Sequence, residues 1–386
     1  MMKKYDFVLF ENSRIVNHYK DLEILAQILQ KANYTVAIAD VFEEKMYCND
    51  SSIEHIPVPE NIFKPFGHKR NKNVIVGQIY RLQLNAYLKR VASFLRGKAR
   101  AFYVGSLFLN TPIGWIDKLG EDTPVLFWGL RSVVFSAKMN LSLSGLLSRY
   151  LNRRLLPKAN IKYIVSDALI RDEFISCGIS ADNIIIKPER LIPEQVSHIF
   201  ISNGKLNLLS IGAIREKKKV EQCIDAIHNL NDSDLVYTIA GKSKNDVIEG
   251  KITQHSEGVN GIVRQNKRLT EEEYEDCFEH CDFLMICDAF MGSTSSSGTM
   301  NDALLRGIPV IAPDHNPFKY YVETYNIGIL YEFGNIDSLC NAIQLAKNRG
   351  GGHYSYNIAI YQNLFIEDKV CLSIKRDLEN ILRITV

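Results

Sequence analysis

Short apolar runs and amphipathic stretches alternate along nearly the whole chain, and no other feature restricts its fold as strongly. Residues 5–10, 35–39, 101–104, 125–128 and 163–165 are strand-length runs with at most one charged position each. Such runs suit strands covered on both faces. Residues 19–31 place apolar groups at helical spacing, and a later helix is expected to run through 177 and 178. Strand, helix, strand repeated requires a parallel sheet with helices on both sides, because every element has an apolar face to bury. The pattern begins afresh at residue 206. Strands are expected at 206–211, 235–240, 261–264, 283–287, 309–312 and 327–331, and helices at 220–230, 270–280, 300–306 and 336–347. A chain of 386 residues is long enough for two such layers. Pro188 and Pro193 mark 187–203 as a linker, so the expectation is an α/β protein of two Rossmann-like domains, residues 1–190 and 191–367.

Composition narrows the function classes. No apolar run approaches bilayer-spanning length and no export signal is read at the start, so a cytoplasmic protein, free or peripheral, is expected. The eight cysteines are scattered and are expected to be reduced thiols. Cys277, His280 and Cys281 have the wrong spacing for zinc knuckles and fall on an amphipathic helix, which points to core packing. The net charge of +2 hides an asymmetry: from Lys64 to Arg100 there is no Asp or Glu, while Lys69, Arg81, Lys89, Arg90, Arg96 and Lys98 fall within the same run. Residues 80–95 interleave bases with Leu82, Leu84, Tyr87, Leu88, Val91, Phe94 and Leu95, the pattern of a helix with one apolar and one basic face. A second basic apolar segment, 146–158, carries Arg149, Arg153 and Arg154. Such helices either present a solvated face or lie on an anionic membrane, where each base contributes about 1 kcal/mol. Nucleic acid is not an expected partner, because no binding motif accompanies the bases.

Residues 293–312 stand apart from the alternation. Ser295, Ser296, Ser297, Gly298 and Thr299 lead into the helix, Gly307 ends it, and a buried strand follows. Backbone N–H groups and hydroxyls at a positive helix end suit a diphosphate, and Asp302, one turn in, suits a ribose diol. A polar loop with an N-capped helix accounts for the same residues.

Five segments, LLSIGAIREKKKVEQCIDAI, YTIAGKS, RLTEEEYEDCFEHCDFLMI, NDALLRGIPVIAPD and NIGILYEFGNIDSLCNAI, resemble in order and spacing the donor domain of GT-B glycosyltransferases. That family of nucleotide-sugar enzymes includes bacterial capsule and lipopolysaccharide transferases. The N-terminal half is similar in pattern only, through HYKDLEILAQILQKANYTVAIA and YIVSDALIRDEFISCGISADNIII. The resemblance implies two Rossmann-like domains facing a cleft, the first for the acceptor and the second for the donor, with a last helix at about 368–386 crossing back to the first. It also implies sugar transfer from a nucleoside diphosphate sugar to an acceptor hydroxyl, with no metal and no cofactor.

On the donor side the family places a basic pair after the first strand, past a glycine. Lys218 matches the lysine, whereas Ala213 follows Gly212 in the usual arginine place, so Arg215 becomes the candidate. Gly241 closes the next strand, and Arg264 ends the strand near which relatives contact the base. Of the two glutamates that many relatives carry across the serine loop, Asp302 takes the second place. The first is missing, since the position eight residues back is Thr294, which leaves Asp288, or Ser293 and Thr294, to contact the sugar. His18 matches the general base of inverting relatives, and a pKa near neutrality suits that role. Glu11, Asn12, Arg14 and Arg131 would line the acceptor side. Asp232-Ser233-Asp234 mimics the metal motif of the other glycosyltransferase fold but is read as a solvated turn. The implied acceptor is a lipid-linked saccharide of surface polysaccharide synthesis, met at an anionic membrane face. A catalytically silent nucleotide- or glycan-binding subunit and a GT-B epimerase are the alternative readings.

Overall fold

The computed structural model describes residues 4–11, 19–41, 51–62, 74–105, 114–129, 160–176, 178–188, 190–200, 204–289 and 297–382. The chain divides into two compact units, Met1–Glu189 with Asp368–Val386, and Arg190–Glu367. In unit 1, β1 (Tyr5–Phe10), β2 (Val36–Asp40), β3 (Glu54–Pro57), β4 (Ala99–Val104), β5 (Val125–Gly129), β6 (Ile161–Val165) and β7 (Ile184–Ile186) form a parallel sheet in the order β3-β2-β1-β4-β5-β6-β7. Phe7 pairs with Val36 on one side and Ala101 on the other, so β1 is central and its apolar run is explained. The helices are α1 (Tyr19–Lys31), α2 (Val74–Leu95), α3 (Ala168–Ser176) and, at the end of the chain, α11 (Glu367–Leu382).

Helix α2 sorts its residues as its periodicity requires. Leu84, Tyr87, Leu88, Val91, Ala92 and Leu95 are buried, while Lys89 and Arg90 are exposed. Leu82 is the exception to the expected apolar face: it is 68% exposed, and Ile79 is 51% exposed. Helix α3 is described to Ser176 and the expected Cys177 lies outside the described residues, while Gly178 at φ +90° donates its N–H to the Ile175 carbonyl, a glycine stop of the usual kind.

Unit 2 repeats the layer. Strands β8 (Leu206–Ile211), β9 (Leu235–Ala240), β10 (Ile262–Gln265), β11 (Phe283–Met285), β12 (Val310–Pro313) and β13 (Gly328–Tyr331) make a parallel sheet in the order β10-β9-β8-β11-β12-β13. Its helices are α4 (Val220–Leu230), α5 (Asp246–Ser256), α6 (Glu271–Glu279), α7 (Gly298–Leu305), α8 (Phe318–Tyr325), α9 (Ile336–Arg349) and α10 (Ser355–Gln362). One core runs through both faces, from Leu208 and Ile224 to Leu304, Ile311 and Ile343. Helix starts are capped from the sequence. Asn245, Thr270, Ser297 and Asn335 each accept a backbone N–H, and Thr270 with Glu273 completes a capping box. Thr270→Ala is expected to destabilise unit 2 by about 1 kcal/mol, read as a lower denaturant midpoint.

Candidate donor site at the carboxyl edge of unit 2

In a doubly wound sheet ligands collect outside the carboxyl ends of the strands where the strand order reverses. In unit 2 that point lies between β8 and β11; Gly212 directly follows β8, and Asp288 lies three residues past the end of β11. Gly212 has φ +94°, and a Cβ there would stand 3.7 Å from the Lys218 ammonium. Gly241 has φ +129° and packs so closely that an added Cβ would fall 2.2 Å from the Gly212 carbonyl oxygen. The two glycines thus draw the ends of β8 and β9 together and leave room for the basic turn.

That turn is pinned across the switch point. Lys219 donates its N–H to the Cys287 carbonyl (3.0 Å), Ala289 donates to Lys217 (2.8 Å), and Lys218 and Asp288 form an antiparallel bridge. The Lys218 ammonium turns inward and donates to the Ile211 carbonyl at 2.7 Å. Burial pushes its pKa below the usual lysine value, a shift that Asp288 partly offsets and that Lys217 and Arg215 reinforce. Asp288 is 13% exposed, lies 3.9 Å from the Lys217 ammonium, and its buried Oδ1 accepts no hydrogen bond among the described residues. A buried carboxylate oxygen left without a donor beside a buried ammonium is a place where a ligand hydroxyl fits.

Helix α7 closes the other side. Ser297 caps it, its Oγ accepting the Met300 N–H at 3.4 Å, and Ser297 and Thr299 line one small concavity with Lys218 and Asp288. Among the described residues nothing lies within 4 Å of a Cβ built on Gly298, which leaves the backbone there open to a ligand on that side. Capped helix and anion cradle are therefore compatible readings of this stretch.

Two expected donor residues have partners within unit 2 that the sequence does not reveal. All five N–H groups of Arg264 are engaged inside unit 2: with Glu249, with the Ile239 and Gly241 carbonyls (both 2.9 Å) and with Ser243 Oγ (3.0 Å). It braces the end of β9 and has no donor left for a base. Asp302 is buried, its Oδ2 accepting from the Tyr274 hydroxyl at 2.8 Å and its Oδ1 ion-paired with Arg190. Arg190 and Tyr274 carry no motif in the sequence, and Arg190 falls in what reads as linker.

In unit 1 the switch point lies between β1 and β4, where Glu11 is buried and a Cβ on Gly105 would overlap its carboxylate. Lys187, also read as linker, is fully buried with its ammonium 4.1 Å from the Trp128 ring centre. Asn12, Arg14, His18, Arg131, Ser293, Thr294 and Ser296, and the basic segment 146–158, lie outside the described residues. A cavity of about 1250 Å³ in unit 1 is lined by Asp117, Asp122, Lys162, Arg171 and Asp377 among others. It opens beside Pro124, Asn160 and Ile184, at the amino ends of β5 to β7, opposite the carboxyl edge that carries the unit 1 switch point. The Asp232–Asp234 turn is tied to Lys347, whose ammonium lies 2.6 and 3.0 Å from the two carboxylates. Among the described residues no group of three His, Cys, Asp or Glu gathers as a metal site, and no helix is long and apolar enough to cross a membrane.

Residues 192–356 match the family model "Glycosyl transferases group 1". No curated protein matches the chain by sequence. Among solved structures the chain is similar to the lipopolysaccharide outer core galactosyltransferase WaaB (TM-score 0.64, 13% identity, 96% of this chain and 99% of that one). It is also similar to WaaG, a glycosyltransferase involved in lipopolysaccharide biosynthesis (0.59, 13%, 95% and 98%). A third is Anabaena HepE in complex with UDP and glucose (0.61, 14%, 97% and 99%). At these identities the likeness speaks to fold, while the family match speaks to the second unit. The protein is therefore a chain of GT-B fold whose residues 192–356 match the glycosyl transferases group 1 family model.

Proposed function

We propose that the protein transfers a sugar from a nucleoside diphosphate sugar to an acceptor hydroxyl, with unit 2 holding the donor and unit 1 the acceptor. The observation that carries this reading is the meeting of Lys218, Asp288 and the α7 N-terminus at the switch point of the unit 2 sheet. A departing diphosphate develops charge that a buried ammonium and a helix N-terminus stabilise without a metal, and a low-dielectric site strengthens both. Asp288, with its unclaimed oxygen, is the candidate for a sugar hydroxyl in place of the missing glutamate. His18 is the proposed base on the acceptor side, and no cofactor is called for. HepE forms complexes with UDP and UDP-glucose, so uridine diphosphate sugars are the first donors to try.

A thermal-shift panel of nucleoside diphosphate sugars tests the donor site, because a ligand at 100 times its Kd stabilises by about 2.7 kcal/mol. Turnover of the stabilising donor only with acceptor present supports the transferase, and interconversion without acceptor supports an epimerase. A protein that binds donor and never turns it over would be a silent subunit, a reading that the missing first glutamate, with Thr294 in its place, favours.

The proposed acceptor is a lipid-linked saccharide, met by a peripheral protein at the inner membrane face. Support comes from α2, where exposed Lys89 and Arg90 accompany the exposed apolar side chains Ile79 and Leu82, and from exposed Arg96 just beyond it. The protein is expected to sediment with anionic vesicles and to be released by salt, since such attraction is screened over about 8 Å at physiological ionic strength. Replacing Lys89, Arg90, Arg96 and Lys98 with Gln should abolish sedimentation and spare nucleotide binding. A wild type that ignores anionic vesicles at low salt would leave a soluble acceptor as the better reading.

A further inference from the structure

We propose that Arg190 is an exchangeable ligand of the donor site: it neutralises Asp302 while the site is empty and moves to the diphosphate when a nucleotide binds. The proposal rests on the donor-site reading above. Asp302 has a side chain only 6% exposed, and its carboxylate is held by the Arg190 guanidinium and the Tyr274 hydroxyl. A carboxylate so deeply placed needs a cation or several donors. Its other arginine neighbour is committed elsewhere. Arg306 donates through Nη1 to the Asp302 carbonyl (2.7 Å), pairs with Glu275 through Nε (2.8 Å) and Nη2, and comes no closer than 3.9 Å to Oδ1.

Arg190 is differently situated. Its side chain is 49% exposed, and Asp302 is the one carboxylate it touches among the described residues, so leaving costs little packing. A ribose diol that reached Asp302 would supply two O–H donors in place of the guanidinium, so the carboxylate stays satisfied. The freed guanidinium is then close to a second anion. Asp302 is four residues beyond Gly298, the first residue of α7, which places the helix N-terminus about 6 Å away along the axis. That is within the swing of an arginine side chain, and a planar fork of donors suits diphosphate oxygens. Ribose and diphosphate would then be read together, because only a ligand carrying both can release Arg190 from one anion and offer it another.

The test is calorimetric binding of UDP and of uridine to the full chain as wild type, Arg190→Gln, Arg190→Lys and Lys218→Ala. Arg190→Gln is expected to lose about tenfold or more in UDP affinity while binding uridine more tightly, since nothing then competes for Asp302. Arg190→Lys keeps a cation for Asp302 without the fork, so it should fold and show a smaller loss for UDP with no loss for uridine. If Arg190→Gln does not fold, the lysine variant decides alone. Equal losses for both ligands, or unchanged UDP affinity, overturn the exchange. A wild type that binds no UDP overturns the donor site with it, whereas UDP binding that Lys218→Ala weakens and neither Arg190 variant alters sinks the exchange alone.

Discussion

Gly241→Ala is expected to destabilise unit 2 by more than about 3 kcal/mol and to take nucleotide binding with it. Two independent costs meet at this residue. Its φ of +129° is closed to a side chain, and the Cβ would stand 2.2 Å from the backbone oxygen of Gly212, an atom that cannot turn aside. Gly212 is itself fixed, because its N–H donates to the Ala240 carbonyl and that of Gly241 to Gln265. Moving it would part β8 from β9 where the basic turn begins. Gly334→Ala is the control: φ is +85° but nothing lies within 4 Å of the new Cβ, so only the conformational cost of about 1–2 kcal/mol applies. Chemical denaturation of the two variants should separate them clearly. Similar losses for both would show that the Gly241 contact relaxes.

Most of this architecture was legible because parallel strands covered on both faces are apolar from end to end. Strands β1, β8 and β9 occupy the expected residues, and β2, β4, β5 and β6 differ by one or two at their ends. The strands that escaped notice lacked that signal. β3 is an edge strand with Glu54 and His55 in four residues, and β7 is only three residues long. Three helices were missed for related reasons. In α5 the one buried residue is Ile252 and Val247 is 71% exposed, so there is no apolar stripe to read. α8 is only eight residues long and dense in aromatics, so its division into buried Phe318, Tyr321 and Val322 and exposed Lys319 and Glu323 spans just two turns. α10 has no charged residue and leaves Tyr356 and Ile360 exposed, so it shows no polar face opposite an apolar one.

The site followed the same rule. Lys218, Gly212, Ser297 and Asp288 lie in the basic turn, the serine loop and a strand end, all of which local sequence marks. Arg190, Tyr274 and the inward turn of Arg264 are tertiary facts: a linker arginine, a helix tyrosine and a strand arginine acquire their partners only when Asp302 and Glu249 are brought beside them. Glu249 shows the consequence. Burial alone would raise its carboxyl pKa, but hydrogen bonds from Arg264 and Ser243 outweigh that and hold it below the usual value.

Lys218→Ala is expected to weaken binding of a nucleoside diphosphate by about 10- to 150-fold, the equivalent of about 1.5–3 kcal/mol for a charge-assisted contact, while leaving the nucleoside nearly unaffected. The ammonium is buried against the Ile211 carbonyl and faces Asp288, so its contact with a diphosphate would be made away from bulk water, where charge counts most. Arg215→Ala should act in the same direction and less strongly, because Arg215 is exposed and its contact is screened. The depressed pKa adds a pH signature. Only the protonated amine grips the anion, so diphosphate affinity should decline as pH rises through the lowered pKa of the free protein, earlier than for a solvated lysine. Binding of the anion favours the protonated form and takes up a proton over that window, which calorimetry in buffers of different ionisation enthalpy reads directly. Lys218→Ala should remove both the decline and the proton uptake. Retention of either in the variant, or equal losses for nucleoside and nucleoside diphosphate, would show that Lys218 does not hold the diphosphate.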